Sequence, residues 1–279
     1  MNGTFAGMRV NGKIKNLFAP IRKVLTNDRI IWLGSPILIL IVWEVIARCG
    51  LVQSYILPAP SAVFQTLFSL IASGELWPHI YMSMFRALSG FVAGSILGIL
   101  LGLIMGWSRF ANNVADIPFN VMRAVPKAAL VPLFIVWFGI GEFPKILLIA
   151  LSAFILCTIN TQAGVRSVDT AYIKAAKALG AKDRDIIREV VIPAAAPMIF
   201  AALRLGILVS LVLLVIVEMT AAKEGLGIFI TDSQRLFLTA KAFAGIMTLA
   251  LLGYALDRIV RMVGDRVLRW HKGVAAAGG

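Results

Sequence analysis

Six apolar stretches, each long enough to cross a bilayer, constrain this chain more than any other feature. A span needs roughly 20 mostly apolar residues. The sequence supplies them at about 30–49, 84–107, 115–139, 144–165, 196–220 and 242–263. Hydrocarbon offers no water to backbone N–H and C=O groups, so runs of this kind must satisfy them internally as helices. Only 15% of residues are charged and 59% are hydrophobic, which excludes an ordinary soluble domain. The expected fold class is an all-α polytopic membrane protein with about six transmembrane helices. The third stretch is unusual because Pro118, Pro126 and Pro132 interrupt it. Proline removes a backbone donor and kinks a helix, so this span is expected to be bent and to lie against protein or a wet cavity.

The net charge of +13 invites a nucleic-acid reading, but the distribution of the cations opposes it. Six lie in residues 1–29, three at 109–127, six at 166–188 and five at 258–272, with Arg204 between the last two groups. They gather at alternate ends of the apolar stretches. By the positive-inside rule, both termini and the 166–195 loop are expected in the cytoplasm. The basic balance is therefore topological, with attraction to anionic lipid as a secondary effect, and no nucleic-acid partner is expected.

Residues 1–29 lack the apolar core and cleavage pattern of a signal peptide. They read as a basic cytoplasmic segment, followed at 30–80 by an uncleaved first span and an outer segment. A core of five spans follows at 81–264, and then a cytoplasmic tail at 265–279. In the outer segment, Leu57-Pro58-Ala59-Pro60-Ser61 is a turn or extended entry, and Ser61–Leu70 alternates at helical spacing. Cys49 and Cys157 fall in or beside spans and read as packing residues; His79 and His271 have no ligand partners at metal spacing, and no metal site is expected.

The second span carries Gly90, Gly94, Gly98, Gly102 and Gly106, one glycine at every fourth position. Small residues let helices approach closely in lipid, so this face is expected to be a packing seam, static or sliding. Ionisable residues inside spans are costly and point to function. Glu44 and Arg48, spaced i,i+4, read as a neutralising pair. Asn120, Arg123 and Lys127 on the interrupted third span, and Glu218 at the end of the fifth, are candidates for a translocation path. The first three can attract an anion or anchor the span; Glu218 can be a gate or an anchor for the outer loop.

The segment 169–193 is polar, basic and helix-forming, inside an otherwise apolar chain. Asp169 or Thr170 can cap a short helix from Ala171 to Leu179. Gly180 suits its C-terminus, and Asp183 or Asp185 can start a second helix that Pro193 is expected to end. The expected product is a bent knob of two short helices, able to enter a groove in a soluble partner. A plain amphipathic interfacial helix is the other reading.

This segment resembles the cytoplasmic "EAA" loop of ABC importer permeases. That pattern is Glu-Ala-Ala, three residues, Gly, nine residues, a branched apolar residue, one residue, Leu-Pro. Ala175, Ala176, Gly180, Val190, Ile192 and Pro193 meet its spacing, with Lys174 replacing the Glu and Ile192 the Leu. Arg86 with Gly90-Phe91, Pro126 with Ala129-Leu130 and Pro132-Leu133, Trp137–Gly141, Glu218-Met219 and Gly225-Leu226-Gly227 are similar to the nitrate/sulfonate/taurine/bicarbonate branch.

The resemblance implies a type I ABC importer permease fold in a bacterial inner membrane. It also implies a second permease copy, a cytoplasmic ATPase dimer that binds the ATP and Mg, and an external solute-binding protein. Lys174 through Pro193 would form the ATPase-coupling loop, and the solute would be a small anion of sulfonate, taurine, nitrate or bicarbonate type. The chain has no G-x-x-x-x-G-K-[ST] phosphate loop, so no cofactor of its own is expected and any ATP hydrolysis belongs to a partner. Two other classes fit these residues less well. An ion-coupled carrier would show interrupted helices in matching halves, and only the third span is strongly interrupted. An intramembrane enzyme would need a catalytic constellation at membrane depth, and none is apparent.

Overall fold

The computed structural model describes residues 28–50 and 52–269. Most of the basic segment 1–29, together with His271, Lys272 and the tail beyond, lies outside the described residues. The elements are α1 (Asp28–Arg48), α2 (Pro60–Ala72), α3 (Trp77–Trp107), α4 (Arg109–Ala124), a 3-10 turn (Lys127–Leu130) and α5 (Val131–Phe138). There follow α6 (Glu142–Arg166), α7 (Thr170–Ala178), α8 (Asp183–Ile186), a π-helical turn (Ile187–Val191), α9 (Ile192–Ala221), α10 (Leu226–Arg235) and α11 (Thr239–Val267). Among the described residues there is no strand. The chain divides into two compact units, one up to Gln65 and one from Thr66 onward.

In the first unit, α1 occupies the first expected span and exposes large aliphatics such as Ile37, Leu38, Ile39 and Ile41. Its Glu44 and Arg48 pair at 2.5 Å, as their spacing predicts. Glu44 also accepts the Ser61 amide at 2.9 Å and the Ser61 hydroxyl at 2.7 Å. The carboxylate thus meets the opening turn of α2, where unpaired amides favour an anion.

In the second unit, four helices are long and apolar enough to cross a bilayer, and the bent pair α4–α5 makes a fifth. The glycine seam sets the arrangement. Gly90 faces Ile149, Gly98 faces Phe154 and Cys157, Gly102 faces Thr158 and Thr161, and Gly106 faces Val165. Both numbers rise together, so α3 and α6 lie side by side and run in the same direction. Ile96, Leu97, Leu100 and Ile104, off the seam, are exposed, as lipid-facing residues of a spanning helix should be.

Two helices that run parallel in one bundle need a return crossing between them. Asn112, early in α4, bonds Gln162 near the end of α6. Phe119 packs with Met105 and Ile155 at intermediate level, and Val131 and Phe134 reach Leu148 near the start of α6. The α4–α5 segment therefore climbs the whole seam and is a broken span. The third span, expected bent at 115–139, is made of two helices with a break between them. The two halves differ in direction by 86°, and the break falls at one proline only. Val125 is extended (φ −69, ψ 126) ahead of Pro126, because the proline ring excludes the residue before it from helical backbone. Pro118 is carried inside α4 and Pro132 sits in the first turn of α5, where its missing N–H is tolerated.

α9 runs opposite to α6, with Gly164 against Ala195 and Met198. α11 runs opposite to α9, with Gly253 against Leu211 and Gly264 against Phe200. A correction concerns Pro193. It does not end the loop helix, since Asp183–Ala221 is one 39-residue helix. The π-helical turn at Ile187–Val191 absorbs the disruption immediately before the proline, and Pro193 lies in the opening turn of α9.

Candidate translocation and coupling sites

At the end of the bundle where α3 and α6 begin, a charged network is buried between helices. Glu218, wholly buried on α9, takes a 2.8 Å ion pair from Arg86 Nη1 on α3. It also accepts the Ser83 hydroxyl at 2.8 Å and the Gly227 amide at 2.9 Å. Arg86 is only 1% exposed and reaches three groups. Besides Glu218 it donates to both oxygens of Glu142 at the start of α6 and to the Glu224 carbonyl at 2.5 Å. Lys145 Nζ, also buried, returns to Glu142 at 2.9 Å. Across the same end, His79 Nδ1 accepts the Gly225 amide at 3.1 Å, and the Leu226 amide donates to Ser83.

This network ties α3, α6, α9 and the 222–227 loop into one lock. Arg86 and Glu218 each meet an opposite charge and further hydrogen bonds, the condition under which burial is tolerated. Glycine is required at the loop. Gly225 has φ +135, and a Cβ there would collide with the Glu218 carboxylate; left-handed backbone of this kind favours glycine. The contacts of Glu218 tie α9 to α3 and to the segment at Gly227. Ser83, Glu142, Lys145 and His79 were not singled out as site residues by sequence reasoning. The available signal was a set of opposite-sign ionisable residues at the same ends of three apolar stretches.

The break in the α4–α5 crossing places Asn120, Arg123 and Lys127 close together in the chain. Asn120 bonds its own helix at the Asp116 carbonyl, 2.9 Å away. Lys127 Nζ donates to the Arg123 carbonyl at 2.8 Å, capping an acceptor that the break leaves without a helical amide. Arg123 is exposed, and its guanidinium makes no hydrogen bond or ion pair among the described residues. Their level follows from the packing of the residues that bracket them. Phe119 lies against Ile155 and Val131 against Leu148, so the cations sit roughly 9–20 Å along α6 from Glu142 at 1.5 Å per residue. They therefore lie part-way along the crossing, between the two ends of α6.

At the opposite end of the bundle, the loop folds largely as its residues dictate. Asp169 accepts the Ala171 amide at 2.8 Å and caps α7. Gly180 has φ +84. The Ala181 amide bonds the Ala176 carbonyl and the Gly180 amide bonds the Lys177 carbonyl, the paired closure of a Schellman C-terminus. Lys177 meets Asp183 at 3.7 Å across the bend. Val168, Ile186 and Val191 pack with Val165, Ala195 and Ile199, anchoring the knob to α6 and α9. Tyr172 and Leu179 remain exposed at 66% and 89%. Lys174, Ala175, Ala176 and Gly180 thus lie on the outer arm and bend. Val190, Ile192 and Pro193 lie where the return arm enters α9.

Comparison with known proteins follows this geometry. Residues 94–269 match the family of binding-protein-dependent transport system inner membrane components. The chain is 37% identical over 254 residues to a putative aliphatic sulfonates transport permease protein, SsuC, of Bacillus subtilis (strain 168), covering 90% of this chain and 92% of that one. It is 32% identical over 267 residues to the taurine transport system permease protein TauC of Escherichia coli (strain K12), covering 94% and 97%. In fold it is similar to a chain of the MetNI methionine ABC transporter in an inward-facing conformation, with a TM-score of 0.54 at 22% identity over 73% of this chain and 97% of that one. The match over most of the helical core, with relatives aligned nearly end to end, shows that the chain belongs to the binding-protein-dependent transport system inner membrane components, the membrane-embedded permease subunits of ABC importers.

Proposed function

We propose that this permease conducts a small anionic solute of sulfonate or taurine type, through a pathway completed by a second copy of the chain. The observation that carries this reading is the Arg123–Lys127 pair at the break in the α4–α5 crossing. Two adjacent cations part-way along a spanning segment, neither bonded to a carboxylate among the described residues, are costly to place against lipid. They therefore face water or another protein surface. A cavity lined by a broken helix and fixed positive charge attracts anions. Relatives named for sulfonate and taurine transport support the same solute class.

In this reading the bent loop lies in the cytoplasm and seats in an ATPase subunit that holds the ATP and Mg. A solute-binding protein delivers the solute at the opposite face, where the lock lies. The chain performs no covalent chemistry. Motion of the ATPase groove would reach the pathway through α9, because the return arm and α9 are one continuous helix. The test is transport by the reconstituted importer carrying Arg123→Gln and Lys127→Gln together. Anion uptake is expected to fall at least tenfold while solute-independent ATP hydrolysis persists. Unchanged uptake in that variant would overturn the anion assignment.

A further inference from the structure

A groove between α9 and α11, apart from both the lock and the broken span, has the features of a ligand site. It is lined along α9 by Pro197, Phe200 and Arg204, and along α11 by Val260, Arg261 and Gly264, and encloses about 200 Å³. Asp265 also lines it. The α9 residues recur at helical spacing and form one stripe. Gly264 opens the floor, because a Cβ there would stand 3.1 Å from the Phe200 ring.

Arg204 is held by Asp257 through its Nε at 2.6 Å and its Nη2 at 3.3 Å. That forked pairing fixes the guanidinium plane and leaves Nη1 with no hydrogen bond among the described residues. The Arg261 side chain makes no hydrogen bond or close ion pair among them, although its charge acts on Asp257. Two guanidinium groups with unused donors thus share one small cavity. On α9, Leu205 next to Arg204 and Leu208 one turn farther into the bundle are exposed at 53% and 41%. The groove lies toward the loop end of the bundle, where Arg258, Arg261 and Arg266 follow one another on α11.

We infer that this groove binds an anionic phospholipid of the leaflet nearest the coupling loop. Its phosphate sits between Arg204 and Arg261, and an acyl chain lies along Leu205 and Leu208. Basic pockets between spanning helices on the cytoplasmic side suit anionic headgroups. Arginine forms paired hydrogen bonds with phosphate oxygens. Aliphatic surface directly beside the cations suits a ligand that is apolar at one end, which a free anion is not.

The test is binding of phosphatidylglycerol and phosphatidylcholine to the purified full-length chain in neutral detergent, by native mass spectrometry. Phosphatidylglycerol is expected to bind more tightly. Arg261→Gln should weaken it about fivefold, the contribution of one cation near an anionic headgroup, while Arg261→Lys should retain most of it. Arg261→Gln removes only a longer-range attraction to Asp257, and circular dichroism would check that the variant is folded. Three results would each overturn the inference: equal binding of the two lipids, an unaltered Arg261→Gln variant, or displacement of the lipid by millimolar inorganic phosphate. Cross-linking of a cysteine at Val260 to a second copy in lipid-free samples would instead assign the groove to an interface between chains.

Discussion

Arg86 and Glu218 meet at 2.8 Å with neither side chain more than 1% exposed. They lie 132 residues apart in sequence, and the Glu224 carbonyl and Gly227 amide close around them. A buried pair that loses one partner leaves an uncompensated charge, at a cost of about 3–5 kcal/mol. Glu218→Ala should therefore lower thermal stability in detergent sharply. The double variant Arg86→Met with Glu218→Gln should recover more than half of the loss, because Glu142 keeps Lys145 as its partner. A Glu218→Ala protein as stable as the parent would refute the lock.

The glycine seam allows a stricter comparison. A Cβ on Gly98 would stand 2.5 Å from the Phe154 carbonyl oxygen. That neighbour is backbone and cannot rotate aside. Gly98→Ala should cost about 1–3 kcal/mol by overpacking. Gly141→Ala, where a Cβ meets nothing within 4 Å, should change stability little. Equal melting temperatures for the two variants would show that the seam is slack.

What the sequence made legible, and what it hid, follows from the range of the forces involved. The apolar stretches, the seam glycines and the Asp169 cap are local or periodic, and each stands where its spacing puts it. The break at Pro126 was half visible: three prolines announced a distorted span, but only packing decides which one breaks it. Pro118 is absorbed in α4, beside the buried Phe119 that docks on Met105 and Ile155. Pro193 misled because the compensating π-helical turn has no composition of its own. The lock was hidden for a different reason. Its members come from four separate parts of the chain, and their meeting depends on the parallel placement of α3 and α6. That placement follows in turn from the return crossing.

Orientation is testable by accessibility. With Cys49 and Cys157 replaced by serine, a single cysteine at Glu75 is expected to react with a membrane-impermeant maleimide on intact cells. Glu75 pairs with Lys241 at 2.8 Å near the start of α11, at the lock end of the bundle. A single cysteine at Lys182, in the coupling loop, is expected to react only after permeabilisation. The cation-rich loop end should face the cytoplasm by the positive-inside rule. Labelling of Lys182→Cys on intact cells would invert the topology and remove the loop from reach of any ATPase.

The bend of the loop offers the most discriminating test of coupling. Gly180 holds φ +84 with no atom within 4 Å of where a Cβ would sit. Any effect of substitution there is backbone strain rather than collision. An L-residue in this conformation costs roughly 1–2 kcal/mol, and asparagine tolerates it better than alanine or valine. Gly180→Val should straighten or loosen the bend and reduce recovery of the ATPase subunit with a tagged permease. Gly180→Asn should retain most of that recovery, although it is the more polar change. Both variants should leave the span helices intact, because α7 joins the bundle through Val168 and Ile186 on either side of the bend. If asparagine and valine reduce recovery equally, the left-handed conformation is not what the ATPase recognises.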